Sequence, residues 1–169
     1  MSLDARLEAL EDAASLGEDR IDAADVAAIR TVLDRATSRR ALSSEHTVVG
    51  FFGATGSGKS SLLNAVVGQE LARAHVRRPT TSEPLAAVWG AHGSDALLDW
   101  LQVTDRRVIE TPFAGDASVS LILLDLPDLD SVRSEHRAIA ERLAGQVDVL
   151  VWVVDPQKYA DAVLHHGFV

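Results

Sequence analysis

Eight consecutive residues constrain this chain more than any other feature. Residues 53–60 read Gly-Ala-Thr-Gly-Ser-Gly-Lys-Ser. The glycines let successive backbone N–H groups curl around an anion, because no side chain obstructs its approach. The lysine adds a compact positive charge, and the serine that follows it adds a hydroxyl that can ligate Mg²⁺. The spacing therefore predicts a loop that holds the phosphates of a nucleotide.

The flanking sequence gives this loop a suitable setting. Residues 47–52 are apolar and rich in β-branched and aromatic side chains, which is typical of a buried parallel strand. Residues 61–67 have helical spacing and stop at Gly68, so the N-terminus of a helix should point at the phosphates. The predicted nucleotide-binding residues are Gly53, Ala54, Thr55, Gly56, Ser57, Gly58, Lys59, Ser60 and Ser61.

Residues 1–45 are predicted to form a helical hairpin that extends an α/β domain in residues 46–169. Two stretches of apolar residues recur with helical spacing, and Gly17 ends the first of them. The apolar positions are Leu3, Leu7, Leu10, Ala14, Val26, Ile29, Leu33 and Ala36. The hairpin is interpreted either as a packing extension, which is the simpler reading, or as a lever that moves with the nucleotide state.

The rest of the chain alternates between apolar runs and helical patterns. Strands are expected at 84–89, 108–109, 119–124 and 149–154, and helices at 94–101, 133–144 and from 159 to 165. Such alternation predicts a mostly parallel sheet with helices on both faces. The expected fold class is thus the α/β three-layer sandwich of P-loop nucleotide-binding proteins, ending after about its fourth strand.

Composition excludes several classes of protein. A net charge of −9 disfavours a nucleic-acid partner held through its phosphates. The absence of cysteine rules out disulfide and thiolate chemistry and is compatible with a reducing, cytoplasmic setting. The N-terminus is acidic and amphipathic, unlike a signal peptide, and the longest apolar run is too short to span a bilayer.

Two further segments carry oxygen ligands for a metal. Asp125 follows a strongly apolar run, at the carboxyl end of a predicted strand, where open α/β sheets bind ligands. Residues 77–84 read Arg-Arg-Pro-Thr-Thr-Ser-Glu-Pro, between the first helix of the domain and its second strand. A threonine there could ligate Mg²⁺ and contact a γ-phosphate, although a solvated loop is a serious alternative. Trp89, close behind this segment, would then report the nucleotide state by its fluorescence.

Together these residues resemble the dynamin-like and Era-like branch of P-loop GTPases, over essentially residues 46–160. The closest resemblance is to bacterial GTPases with the run Gly-Ala-Thr-Gly-Ser-Gly-Lys-Ser-Ser followed by Arg-Arg-Pro-Thr-Thr. The resemblance implies a protein that binds GTP and GDP and hydrolyses GTP with Mg²⁺. It assigns catalytic roles to Lys59 and Thr81 and makes Ser60, Thr81 and Asp125 the metal ligands, with Thr80 as the second choice for the threonine.

This chain departs from that family at several positions. Gly56 stands where potassium-dependent relatives of Era carry asparagine. Asp128 replaces the glycine of the D-x-x-G element, so a carboxylate near the γ-phosphate would repel it unless it points away. Leu129 stands where Ras-like enzymes have a water-orienting glutamine, which predicts slow hydrolysis stimulated by a partner or a second copy. His136 could approach the nucleotide, but a surface helix histidine is the simpler interpretation.

The N-K-x-D element that reads guanine is absent from the chain, which is therefore read as the N-terminal part of a longer GTPase. In the family's strand order, 2-3-1-4-5-6, residues 149–154 would form strand 4 and lack their outer neighbour. The exposed edge predicts self-association, and membrane association of the full-length protein is possible but not indicated. Two rival functions remain open: an ATPase such as an ABC-type module, and a nucleotide-binding scaffold without useful turnover.

Overall fold

The computed structural model describes residues 2–42, 45–72, 83–128, 131 and 134–155. They fall into two compact units, Met1–Ser44 and Glu45–Val169. The helices are α1 (Leu3–Gly17), α2 (Ala23–Leu42), α3 (Lys59–Val67), α4 (Asp95–Trp100) and α5 (Ser134–Ala144). The strands are β1 (Thr47–Phe52), β2 (Leu85–Trp89), β3 (Asp105–Val108), β4 (Leu121–Asp125) and β5 (Val149–Trp152). The predictions for Thr80, Thr81, Leu129 and a helix at 159–165 lie outside the described residues.

The first unit is a pair of helices that contact each other, α1 and α2. The Ser2 hydroxyl accepts a hydrogen bond from the Ala5 amide and caps α1, as a serine before a helix commonly does. The Asp22 carboxylate accepts one from the Ala24 amide at the start of α2. Ala14 and Val26 are buried between polar outer faces, which accounts for the apolar spacing read in the sequence.

The second unit is built on a five-stranded sheet of order β3-β2-β4-β1-β5. Strand β1 lies between β4 and β5 and runs parallel to both. Strand β2 is antiparallel to β4 and parallel to β3. The sheet is thus mostly parallel, as predicted, and the series β2-β4-β1-β5 reproduces the expected order 2-3-1-4. Strand β3 adds one further strand at the outer edge, where a short edge strand at 108–109 was expected.

The core lies along the middle of this sheet, where every residue of β2 and β4 is buried. On one face, Phe51 and Leu123 pack with Leu63 and Val67 of α3 in a single apolar cluster. Side chains alternate along each strand, so the residues before and after Leu123 in β4 point to the other face, and β2 alternates in the same way. Three leucines of α4 and its C-terminal end are buried: Leu97, Leu98 and Leu101.

Strand β5 lies in the apolar run at 149–154, which is typical of a buried strand but which the family's strand order places at an exposed edge. The structure agrees with the edge position, since Val149, Leu150 and Trp152 are 44%, 40% and 37% exposed. The cause is position, because β5 lies at the edge of the sheet and, among the described residues, pairs with β1 alone. Over the described part of the chain, no helix combines the length and apolarity needed to cross a membrane.

Candidate nucleotide-binding site

The predicted phosphate loop lies between the end of β1 and the start of α3. Gly56 and Gly58 have φ angles of 75° and 98°, in the left-handed region that side chains disfavour. Gly53 is required for a different reason, because a Cβ atom there would lie 2.2 Å from the carbonyl oxygen of Val153. The glycines therefore allow the turn at one end of the loop and the close approach to the β5 side of the sheet at the other.

Lys59 lies inside this loop, 5% exposed. Its ammonium nitrogen donates hydrogen bonds to the carbonyl oxygens of Gly53, at 3.0 Å, and Ala54, at 3.2 Å. It also forms a buried ion pair with the carboxylate of Asp128. A lysine ammonium carries three N–H groups, so these three acceptors satisfy it completely.

Ser60 and Asp125 meet at the start of α3. The serine hydroxyl donates a 2.6 Å hydrogen bond to Oδ2 of Asp125, although the two residues are 65 positions apart. Asp125 is the last residue of β4 and pairs with Phe51 of the neighbouring β1, so the sheet itself delivers the carboxylate to the loop. Burial raises the pKa of the Asp125 carboxyl above its usual value, opposed by the Ser60 hydrogen bond and the charge of Lys59.

Two buried oxygen atoms at this site have no hydrogen-bond partner among the described residues: Oδ1 of Asp125 and the hydroxyl oxygen of Ser57. Buried polar atoms are rarely left unpaired unless a ligand, ion or water completes them. A free carboxylate oxygen beside a serine hydroxyl is a suitable pair of ligands for Mg²⁺, which prefers oxygen and takes its remaining ligands from water and phosphate. The residues present therefore fit the predicted metal.

The structure brings most of the predicted site together. Residues 53–60 and Asp125 converge at the carboxyl ends of β1 and β4, while Ser61 is exposed on the outer side of α3. Within the described ranges, no group of three or more histidine, aspartate or glutamate side chains could hold a metal by itself. A metal here would depend on the oxygens of the nucleotide.

Asp128 and His136 differ from what the sequence suggested. The carboxylate of Asp128, predicted to repel a phosphate unless it points away, is instead buried in an ion pair with Lys59. His136, expected on the surface, is 5% exposed, and its Nδ1 lies 3.3 Å from the hydroxyl of Ser131. One signal could have located the first contact: a buried lysine needs a counter-charge, and Asp128 follows the site aspartate by three residues.

The tryptophans are also placed differently from the expectation. Trp89 pairs with Leu121, at the opposite end of β4 from Asp125. Trp152 instead pairs with Phe52, the last residue before the phosphate loop, and the two rings lie 5.9 Å apart. Trp152 is therefore the better-placed fluorescent reporter of the loop, and a response of Trp89 stays a prediction.

These features define the class of protein, a P-loop nucleotide-binding protein with an α/β sheet. The chain belongs to the 50S ribosome-binding GTPase family, whose model matches residues 48–166. Family membership decides for a GTPase and against an ABC-type ATPase.

One solved structure similar to this chain is that of a variant of S. thermophilus NFeoB bound to GDP.AlF4⁻. The two are 19% identical with a TM-score of 0.42, over 66% of this chain and 36% of the other, so this chain spans about a third of that protein's length. No curated protein matches the chain significantly.

Proposed function

We propose that this chain binds GTP and GDP with Mg²⁺ and hydrolyses GTP slowly, as a GTPase domain of the dynamin-like and Era-like branch in bacteria. The observation that carries this proposal is the contact between Ser60 and Asp125. It places a hydroxyl and a buried carboxylate, one of whose oxygens lacks a partner among the described residues, at the N-terminus of the helix that follows the phosphate loop. This combination suits a magnesium–nucleotide complex better than a bare anion.

Each residue has a separate task in this proposal. The backbone amides of residues 53–60 hold the β-phosphate, and the positive end of α3 adds to their attraction. Lys59 binds β- and γ-phosphate oxygens and stabilises the charge that develops during transfer. Ser60, Asp125 and Thr81 would hold Mg²⁺, with Thr80 as the alternative threonine, and the ion would supply positive charge to the phosphate oxygens.

Hydrolysis should be slow in the isolated chain. The side chain of Leu129 has no polar atom with which to orient the attacking water, so another group has to supply that contact. We propose that it comes from a partner or from a second copy of the chain. The exposed edge of β5, where Val149 and Leu150 face solvent, is the surface proposed for self-association.

A turnover measurement tests this function. GTP hydrolysis is followed at constant nucleotide while the protein concentration is varied about a hundredfold, with ATP as the competing substrate. We expect low turnover per molecule that rises with concentration, inhibition by GDP, and none by ATP. Sedimentation of the same samples shows whether the rise accompanies dimer formation.

Two results would contradict this mechanism. Fast hydrolysis that is independent of concentration and survives Leu129→Ala would place the water-orienting group elsewhere in the chain. Tight binding without turnover at any concentration would favour the nucleotide-binding scaffold instead.

A cytoplasmic location is part of the proposal because GTP is an intracellular nucleotide. We do not extend it to ribosomal RNA, because the net charge of −9 opposes contacts to a phosphate backbone.

A further inference from the structure

We propose that Asp128 competes with the nucleotide for Lys59 and selects the diphosphate over the triphosphate. The proposal rests on the nucleotide binding proposed above. The ion pair joins the phosphate loop to the segment that follows β4, across 69 positions of sequence. This ion pair engages the ammonium of Lys59, the one charged residue of the loop, which a bound phosphate also needs.

The hydrogen bonds of Lys59 show what a phosphate has to displace. Two of its N–H groups are held by the carbonyls of Gly53 and Ala54, which belong to the loop itself. The third is held by Asp128, which belongs to another segment and carries the same sign of charge as a phosphate. A phosphate oxygen therefore gains Lys59 most directly by taking the place of the Asp128 carboxylate.

Burial makes this exchange costly. The side chains of Lys59 and Asp128 are only 4% and 8% exposed. Separating such a pair leaves two charges in a poorly solvated place, and each then needs a new partner. An incoming phosphate supplies one for the lysine but repels the aspartate, so the carboxylate has to leave the site.

The two nucleotides differ in how far they intrude on this pair. A diphosphate brings only its terminal β-phosphate to Lys59, so it adds less negative charge beside the Asp128 carboxylate. A triphosphate extends one group further, to the oxygens that a loop lysine binds between the β- and γ-positions. Because Asp128 holds the third N–H group of the ammonium, the triphosphate, which carries more negative charge, repels this carboxylate more strongly than the diphosphate does.

Displacement of Asp128 would be transmitted to α5. The Asp128 carbonyl accepts a hydrogen bond from the Ser131 amide at 3.2 Å. The Ser131 hydroxyl lies 3.3 Å from Nδ1 of His136, which is buried in the first turns of α5. The ion pair between Lys59 and Asp128 opposes the binding of the triphosphate, and its disruption would therefore also affect helix α5.

Calorimetry with Mg²⁺ tests the selectivity, using GDP and a non-hydrolysable GTP analogue on the parent chain and on Asp128→Asn. The substitution keeps the shape and removes the charge. We expect affinity for the GTP analogue to rise about tenfold or more and affinity for GDP by less than about threefold. Asp128→Glu keeps the charge and should stay close to the parent. Asp128→Gly is the second neutral variant, used if the asparagine chain fails to fold by circular dichroism.

Glu141→Gln is the matched control. It removes the same charge and also breaks an ion pair, with Arg137, but that pair is about half exposed on α5. We expect neither affinity to change. An unchanged ratio of the two affinities in both neutral variants, or an equal shift in Glu141→Gln, overturns the selectivity while nucleotide binding stands. Failure of the parent and every variant to bind either nucleotide contradicts the proposed function itself, and this inference with it.

Discussion

Two regions meet at Lys59 and are built in opposite ways. The phosphate loop, residues 53–60, is made of consecutive residues and presents mainly backbone groups, shaped by glycines at close approaches and positive φ angles. The other region, the end of β4 and the residues after it, presents the carboxylates of Asp125 and Asp128. Only the pairing of β4 with β1 brings it to the loop. The residues that would surround an anion are thus consecutive in sequence, whereas the carboxylates beside them are brought there by the pairing of strands.

The largest effect should come from removing the residue that both regions share. Lys59→Ala deletes the ammonium that contacts phosphates and leaves Asp128 buried beside the loop without its partner. We expect affinity for magnesium–GTP to fall at least about a hundredfold, because charge-assisted contacts in a buried site are strong. Calorimetry measures it, with Arg107→Ala on the edge strand β3 as the control. Equal affinities in the two variants would show that the loop backbone alone holds the nucleotide.

A second test changes the shape of the loop without changing any charge. Gly53→Ala places a methyl group 2.2 Å from the Val153 carbonyl oxygen, so β1 or β5 has to shift. We expect the free energy of unfolding to fall by about 3 kcal/mol, measured by urea denaturation. Gly68→Ala is the control, because its φ of 77° is strained but no atom lies within 4 Å of the added carbon. It should cost only about 1 kcal/mol. Equal losses would mean that the approach to β5 is not rigid.

The smallest effects are expected in the second region, from a substitution of Asp125. It should raise the stability of the protein and lower the dependence of GTP binding on Mg²⁺. Asp125→Asn removes a buried charge that its surroundings disfavour, while the amide oxygen can still accept the Ser60 hydrogen bond. Without metal we expect the free energy of unfolding to rise by about 1 kcal/mol at neutral pH. The gain in GTP affinity caused by Mg²⁺ should fall about tenfold. Denaturation with a chelator and calorimetry with and without Mg²⁺ check the two halves. A destabilised variant with intact magnesium dependence would remove Asp125 from the metal site.

The sequence predicted the local region well. The spacing of Gly53, Gly56 and Gly58 with Lys59 and Ser60 defines a loop almost independently of its surroundings, and the structure forms that loop. Asp125 was also located, because a polar residue that ends an apolar run marks the carboxyl end of a buried strand.

The non-local features were harder to predict. The sequence predicts that Asp128 repels a phosphate unless it points away, but it does not show that the side chain turns toward Lys59. The reversed direction of β2 was missed as well, since alternating helices and strands suggest parallel neighbours whatever the path between them. The apolar run of β5 alone suggests a buried strand, because such a run does not distinguish a central strand from an edge, and the exposed edge was predicted only from the family's strand order.

The position of β1 between β4 and β5 has a consequence for how this chain folds during synthesis. Thr47 pairs with Leu121 and Val49 with Val149, so the strand that carries the phosphate loop waits for partners that emerge much later. Pairings so distant in sequence fold slowly, because the loop between them has to close first. A ribosome-bound chain that ends before β4 carries the whole glycine loop but not the sheet that holds Asp125. Nucleotide capture by nascent chains of increasing length should therefore begin abruptly, once β4 has left the exit tunnel.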